Sequence, residues 1–276
     1  MQAIADYFAT IPSSHRALLL AGGIAFFWIW ESAVPLFRFE YQKWPHALVN
    51  FFFTATTIVV NFGLAFLLLK VSEWTVSHEF GVLYLVPGLS LALQMLVGLL
   101  LLDLISAWLA HFVSHHTRPL WKLHLIHHSD THVDTTSANR HHPGESAVRF
   151  TFTALAVVIV GAPLWMVFLY QAMSVVLSQF NHANITLPAT LDRVMSWVIV
   201  SPGMHKVHHH FELPHTDTNF GNIFSIWDRA YGTFSERPER DIVYGIDTHK
   251  DPKEHSTIGA LLMMPFRPKP SARRKG

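Results

Sequence analysis

VLYLVPGLSLALQMLVGLLLLDLISAWLA, residues 82 to 110, is an apolar run in which Asp103 is the one charged residue. It exceeds the roughly 20 residues that a helix needs to cross the hydrocarbon core of a bilayer. Two more runs of sufficient length precede it, Ala17 to Phe37 and Leu48 to Leu69. The three runs predict an all-α integral membrane protein with about three transmembrane helices. For any single run, a buried core helix is the alternative.

The composition of the whole chain favours the same class. Its mean hydropathy is +0.27, and only 14% of its residues are charged. It has no cysteine, which excludes disulfides, thiolate metal ligands and a cysteine-bound iron–sulfur cluster within the chain. The basic residues lie mainly at the carboxyl end and lack an aromatic-lined groove, so the sequence predicts no nucleic-acid partner.

The charge of the carboxyl-terminal tail suggests an orientation. Residues 266 to 276 contain five basic side chains and no acid, and cytoplasmic segments of membrane proteins carry an excess of Lys and Arg. We therefore predict that residues 236–276 form a cytoplasmic carboxyl-terminal segment with a basic tail. A tail that serves only solubility is compatible with this orientation.

Groups of histidines at helical spacing follow the third apolar run. Side chains three or four residues apart lie on one helix face, so each group can bind a metal ion. A lone histidine is more often a surface or hydrogen-bonded residue, but two copies of H-x2-H-H and one H-x3-H favour metal binding. The pattern predicts a histidine-rich di-metal site held by His111, His115, His124, His127, His128, His205, His208 and His209.

A further apolar run, residues 150 to 180, constrains the topology. A single crossing here would place His182 and the last histidine group on the opposite side of the membrane from the first groups. Gly161-Ala162-Pro163 interrupts the run, and the arm before it, Phe150 to Val160, is only about 16 Å long as a helix. We predict a re-entrant helical hairpin over 150–180 that returns to the cytoplasmic face, where a helical cap holds the metal site. A kinked crossing is the alternative.

The ligand type narrows the choice of metal. The two Glu-x-x-His motifs of ferritin-like di-iron proteins are not both present, so the ligands are almost all neutral imidazoles. Iron suits O₂ chemistry beside an apolar substrate. Zinc is the competing metal, because such ligands bind it more tightly than Fe²⁺. A structural zinc site, however, closes with four ligands, fewer than the histidines present. The spacing of the histidines does not exclude a copper site that has only histidine ligands.

Carboxylates near the histidines are candidates for hydrogen bonds to the second ring nitrogen of metal-bound imidazoles. Asp103 lies within LLLLDLI, where a charge is costly and typical of function. We predict that it supports a metal-bound histidine or the local structure, with an incidental interfacial acid as the alternative. The other candidates in the sequence are Asp130, Asp134, Glu145, Asn181, Asp217 and Asp228.

Four segments together resemble the fatty acid hydroxylase/sterol desaturase superfamily, over about residues 83 to 234. The segments are DLISAWLAHFVSH at 103–115, WKLHLIHH at 121–128, SPGMHKVHH at 201–209 and DTNFGNIFSIWDRAYGTF at 217–234. The resemblance implies an integral-membrane oxidoreductase with two iron ions that uses O₂ to act on lipid C–H bonds. Its electrons come from a separate reductase or carrier.

The resemblance also assigns ligands. It carries metal-binding roles to the eight histidines named above, to His182, and to His142 in RHHPGE. Ser178 stands four residues before His182, where fuller members of the superfamily have a further histidine. Residues 1–110 are then transmembrane helices, residues 111–235 the catalytic region, and residues 236–276 the cytoplasmic segment.

Three functions remain open from the sequence. The leading one is hydroxylation of a lipid such as a fatty acyl chain or a sterol-like ring, and desaturation at the same site is the alternative. A non-catalytic zinc-binding or zinc-transport protein is a different class, but transport predicts polar ligands through the bilayer interior. A metalloprotease is disfavoured because H-E-x-x-H is absent.

Overall fold

The computed structural model describes residues 1–249 and 251–267, and this part of the chain contains α-helices and short 3₁₀ turns but no β-strand. The all-α prediction is therefore confirmed. Most of the basic tail, residues 268–276, lies outside the described residues. The helices are α1 Gln2–Ala9, α2 Ser13–Ala33, α3 Lys43–Ser77, α4 Leu91–Asp103, α5 Ala110–His116, α6 Arg118–His128, α7 Pro143–Val160, α8 Leu164–His182, α9 Ala189–Met195, α10 Pro202–His208, α11 Ile226–Ala230 and α12 Ile258–Met263.

Four segments are long and apolar enough to cross a membrane: Ser13–Ala33, Lys43–Tyr84, Leu91–His116 and Pro143–Val160. The chain is accordingly an integral membrane protein with four candidate spans, where the sequence predicted about three. The 35 residues of α3 make a helix about 52 Å long at 1.5 Å per residue, so α3 extends well beyond a hydrocarbon core about 30 Å thick.

The sequence suggested that the third apolar run, residues 82 to 110, forms one helix, but it does not. A 3₁₀ turn covers Val82–Tyr84, and the continuous helical segment begins only at Leu91, after Pro87 and Gly88. Pro87 has no backbone N–H to donate, which stops the helix from extending back through it. A π-helical turn at Leu104–Leu109 joins α4 to α5. Such turns are frequent at functional sites, and this one ends two residues before the first histidine of the site.

The two helices predicted on either side of Gly161-Ala162-Pro163 are present, but the first arm of this hairpin is longer than expected. α7 begins at Pro143 rather than Phe150, and its 18 residues make it a candidate span, so the expectation that this arm is too short to cross is wrong. The apolar run did not include the first two turns of α7, because these turns carry polar residues that contact the site. Gly161, with φ of 75°, ends α7 in the left-handed region, and Pro163 precedes α8.

α4 packs between the two arms of the hairpin. Leu99 and Leu102 of α4 share a buried cluster with Val157 of α7 and Met166 of α8. A Cβ atom at Gly98 would collide with Sδ of Met166, so glycine permits this close approach. Because lipid is as apolar as these residues, van der Waals packing rather than transfer from water holds such helices together.

A buried polar network ties the amino-terminal helices to the loop after α6. Nε2 of His46 lies 2.9 Å from both carboxylate oxygens of Asp130, and the Tyr41 hydroxyl donates to Asp134 at 2.8 Å. Glu31 accepts the backbone N–H of Thr135 at 3.1 Å. Most of these polar groups are paired, as burial requires, so the loop before α7 is fixed from the side away from the histidines.

Candidate metal centre

Five buried imidazoles form the first group, cluster A. They come from α5, α6 and α10, and each offers one nitrogen within 4.8 Å of the others. Nε2 of His111 and Nε2 of His124 are only 3.0 Å apart. The members of cluster A are His111, His115, His124, His128 and His208.

Four more buried imidazoles form the second group, cluster B: His127, His182, His205 and His209. Nε2 of His182 lies 3.2 Å from Nε2 of His127, 3.1 Å from that of His205 and 3.3 Å from that of His209. The two clusters adjoin, since the rings of His128 in cluster A and His209 in cluster B have centroids 4.8 Å apart.

Both clusters fit a metal ion. Imidazole nitrogens bind a metal such as zinc at about 2.0–2.1 Å, which puts neighbouring ligand atoms about 3.0–3.4 Å apart. The four Nε2 separations given above, one in cluster A and three in cluster B, fall in this range. In addition, the buried Nε2 atoms of His115, His128 and His208 have no hydrogen-bond partner within residues 1–249 and 251–267, and an unpaired buried nitrogen is costly unless a ligand satisfies it.

Each H-x2-H-H motif supplies both clusters. In α6, His124 and His128 are four residues apart and face cluster A, whereas His127 faces cluster B. At α10 the assignment is reversed, because His205 and His209, the residue directly after the helix, face cluster B while His208 faces cluster A. Residues i and i+4 share a helix face. Each motif therefore gives two ligands to one cluster and one to the other, so the repeat indicates a paired site.

The second ring nitrogen is anchored in several imidazoles. An Nδ1–H that donates to an oxygen fixes the ring and leaves the Nε2 lone pair for a metal. In cluster A, Nδ1 of His124 lies 2.7 Å from Oε1 of Glu145. The other pairs are His111 with the carbonyl of Phe220, His115 with Asp217, His208 with the carbonyl of Thr218, and His182 with Ser178 and Asn181.

Burial keeps these imidazoles neutral. Loss of water around the ring lowers the pKa of His208 to about 4. For His124 and His128, burial is the larger cause and nearby imidazoles the second, and together they hold the pKa well below its usual value. A neutral imidazole is the form that binds a metal.

The structure brings together nine of the ten predicted histidine ligands and leaves out His142. Its side chain caps the start of α7, where Nδ1 accepts the Gly144 N–H at 3.0 Å. The capping contact follows from Pro143, which starts the helix at the next residue. His141 takes the inner position instead. Its ring centroid is 4.7 Å from that of His127, and its Nε2 is 3.6 Å from Glu145.

Asp103 supports the backbone rather than a histidine. Its carboxylate accepts the N–H groups of Ile223 and Phe224 at 3.3 and 3.0 Å. Asp228 has a similar role: it accepts the Trp108 indole N–H at 3.0 Å and the Phe220 N–H at 2.8 Å. Both acids therefore hold the loop whose Phe220 carbonyl contacts His111.

Asp130 and Asp134, two other candidate partners from the sequence, belong to the polar network around His46 instead. Their proximity in sequence to the α6 histidines was a poor guide, since the chain turns away after Ser129.

Lys206, between two histidines of α10, was missed in the sequence. Its side chain is fully buried, and Nζ donates to the carbonyl of Ala183 at 2.6 Å. Ala183 follows directly after His182, at the end of α8, where a positive charge is favourable. Burial lowers the pKa of Lys206 to about 8. The sequence signal was a lysine flanked on both sides by metal-binding residue types.

A cavity of about 20 Å³ lies between the clusters. Such a volume is enough for one water-sized molecule. Histidines of both clusters reach it, together with small residues and three polar ones. Its lining comprises Ala107, His111, His124, His127, Ala138, His141, Arg149, Ser178, His182, His205, Phe220, Gly221 and Asn222.

Several known proteins are similar to about half of this chain. Ornithine lipid hydroxylase OlsE of Rhizobium tropici is 27% identical over 54% of this chain and 44% of its own length. Alkylglycerol monooxygenase of Caenorhabditis elegans is 27% identical over 52% of this chain and 28% of its own length. Cholesterol 25-hydroxylase-like protein 1, member 2, of Danio rerio is 30% identical over 50% of this chain and 49% of its own length.

The matches thus span less than half the length of each of these relatives. No solved structure matches the chain. The fatty acid hydroxylase family matches residues 95–233, half of the chain, which include every histidine of both clusters. The chain therefore belongs to the fatty acid hydroxylase family.

Proposed function

We propose that this chain is a membrane-bound lipid hydroxylase that holds two iron ions, one in each histidine cluster. The observation that carries the proposal is the pair of adjoining buried clusters, each built of neutral imidazoles whose nitrogens converge. Printed names of relatives, such as ornithine lipid hydroxylase and alkylglycerol monooxygenase, support a lipid C–H bond as the target.

When bound, the iron ions supply the activation of O₂ for insertion of one oxygen atom into a C–H bond, with electrons from a separate reductase or carrier. The protein side chains position and shield this chemistry. Nine imidazoles hold the two iron ions. Zinc can replace the iron ions because it binds the same ligands. Glu145 and the Phe220 carbonyl orient two of these rings through Nδ1.

The two clusters differ in a way that bears on reactivity. Cluster A has five imidazoles and cluster B four, and Ser178, four residues before His182, lines the cavity. Fewer protein ligands leave more room for substrate or O₂ at a catalytic metal. We therefore assign the small cavity beside Ser178 as the place where the reacting C–H group lies.

The chain path supports one placement of the site in the membrane. Glu145 near the start of α7 contacts His124, and His182 at the end of α8 contacts His127. The hairpin thus leaves the site and comes back to it. We place the site on the cytoplasmic face, with residues 1–110 as the anchor, 111–235 as the catalytic region and 236–276 as part of a cytoplasmic cap.

The test is a mass comparison of total lipids from cells that express the wild type or His208→Ala, with a compatible reductase. We expect a lipid heavier by one oxygen atom only with the wild type. A lipid lacking two hydrogens would instead identify a desaturase at the same site. His142→Asn is the matched control, because it alters a histidine outside both clusters and keeps a side chain that caps helices well.

Metal analysis of the same purified proteins completes the test. We expect two iron ions per wild-type chain after expression with iron, and fewer for His208→Ala. Wild-type protein that contains only zinc and leaves every lipid unchanged, even after iron loading, would refute the hydroxylase and favour a zinc-binding protein.

A further inference from the structure

Arg149 brings a guanidinium group to the wall of the cavity between the two clusters. The residue lies on α7, one turn beyond Glu145 and within a candidate membrane span. Its side chain is about a third exposed, at 32%, so it reaches both the cavity and the outer surface of the helix bundle.

The charge of Arg149 is poorly satisfied by the protein. Its nearest acid is Glu145, with Nη1 4.0 Å from Oε1, and that same oxygen is 2.7 Å from Nδ1 of His124. Within the described residues the guanidinium donates no hydrogen bond that meets normal geometry, although it carries five N–H donors. An arginine inside a membrane segment is costly, and such residues mark functional sites by default.

The chemistry of the cavity wall points to a particular ligand. Guanidinium is a planar fork that pairs with carboxylate or phosphate through two hydrogen bonds. Apart from the histidines, the other polar residues at the wall are Ser178 and Asn222, and Asn222 already donates its amide to Ser174 at 2.8 Å. Arg149 is therefore the one cation among the lining residues and the strongest available donor.

We propose that Arg149 binds the anionic oxygen group, carboxylate or phosphate, of the lipid substrate. Because Arg149 and histidines of both clusters line the same cavity, an anion held by Arg149 lies close to the reacting carbon. The C–H bond to be oxidised then lies within a few bonds of the polar head rather than in the middle of an acyl chain. This assignment of the substrate class rests on the proposed function, whereas the anion-binding role itself does not.

The experiment measures lipid binding without turnover. Purified full-length protein is loaded with zinc, which has no redox chemistry, and placed in phosphatidylcholine nanodiscs. The probes are oleate for a carboxylate, dioleoyl phosphatidic acid for a phosphate, and dioleoylglycerol for an uncharged head. The variants are Arg149→Gln, Arg149→Lys and the control Lys70→Gln, which removes a cation from another candidate span, where Lys70 pairs with Glu73.

We expect the wild type and Lys70→Gln to bind at least one anionic lipid 10-fold or more tightly than dioleoylglycerol. Arg149→Gln should lose that preference, and Arg149→Lys should keep part of it, since a point charge lacks the bidentate fork. The preferred anion separates carboxylate from phosphate. Zinc content and melting temperature establish that each variant is folded. If Arg149→Gln is unfolded, the lipid binding of Arg149→Lys is compared with that of the wild type instead.

Three results would overturn the proposal. The first is a wild type that binds anionic lipids no more tightly than dioleoylglycerol, and the second is a Lys70→Gln variant that loses the preference for anionic lipid as fully as Arg149→Gln does. The third is a full wild-type preference in Arg149→Gln or, if that variant is unfolded, in Arg149→Lys. Failure of the hydroxylase proposal looks different. In that case the iron-loaded wild type leaves lipids unoxidised while the binding preference of Arg149 persists.

Discussion

Nδ1 of His124 lies 2.7 Å from Oε1 of Glu145, and both side chains are almost completely buried. This contact joins α6 to the first turn of α7. It fixes the ring orientation of a cluster A imidazole and leaves its Nε2 atom 3.0 Å from that of His111. The carboxylate thereby connects the start of α7 to cluster A.

Loss of this carboxylate should weaken metal binding. For Glu145→Ala we expect a 10- to 100-fold loss of metal affinity or lipid oxidation, the usual cost of removing such a hydrogen-bond partner. Glu145→Gln should retain more of both, because the amide oxygen still accepts the Nδ1–H of His124. Competitive chelator titration of the purified proteins gives the affinity. Wild-type affinity in Glu145→Ala would show that the ring is oriented by packing alone.

Removal of the Asp103 carboxylate should destabilise the protein. Asp103→Ala leaves the buried N–H groups of Ile223 and Phe224 without an acceptor, at roughly 1–3 kcal/mol for each group. We expect a clearly lower melting temperature in detergent. Asp241→Ala, which alters a solvent-exposed acid, is the control and should melt with the wild type. Identical melting of Asp103→Ala and the control would contradict this structural role.

Substitution of Ser178 should separate metal binding from oxidation. An imidazole in Ser178→His would stand next to cluster B and take up the small cavity that Ser178 lines. We expect two metal ions per chain but at least 10-fold less oxidised lipid, whereas Ser178→Ala should behave like the wild type. Undiminished oxidation by Ser178→His, seen by lipid mass analysis, would remove the cavity from the proposed reaction site.

Metal removal should lower the melting temperature and leave the helical content unchanged. Without an ion, the buried nitrogens of His115, His128 and His208 have no partner among the described residues, while the surrounding helices keep their own hydrogen bonds. A ligand that binds only the folded state stabilises it by mass action. We expect chelation to reduce the melting temperature and zinc to restore it, with the helical circular dichroism unchanged at 20 °C. A chelated protein that melts like the untreated one would argue against tight metal binding.

The sequence by itself determined the class of the protein and the nature of its site. Apolar run length predicted three of the four candidate spans, because a fixed hydrocarbon thickness sets the length that a span needs. Histidine spacing predicted that these side chains cluster as candidate metal ligands, because residues three and four apart meet on one helix face. The quoted motifs identified the family, which the match over residues 95–233 confirms. All of these signals are local along the chain.

Only the tertiary structure decided how those parts meet. Spacing placed His124, His127 and His128 on one helix, but the packing of α6 against α5, α8 and α10 divided them between two clusters. Run length likewise missed the start of α7, because its first turns are polar where they face the histidines. A helix face is set by neighbours in sequence, whereas its partner is set by residues far away in the chain. The position of Arg149 beside both clusters is therefore a property of the folded helices alone.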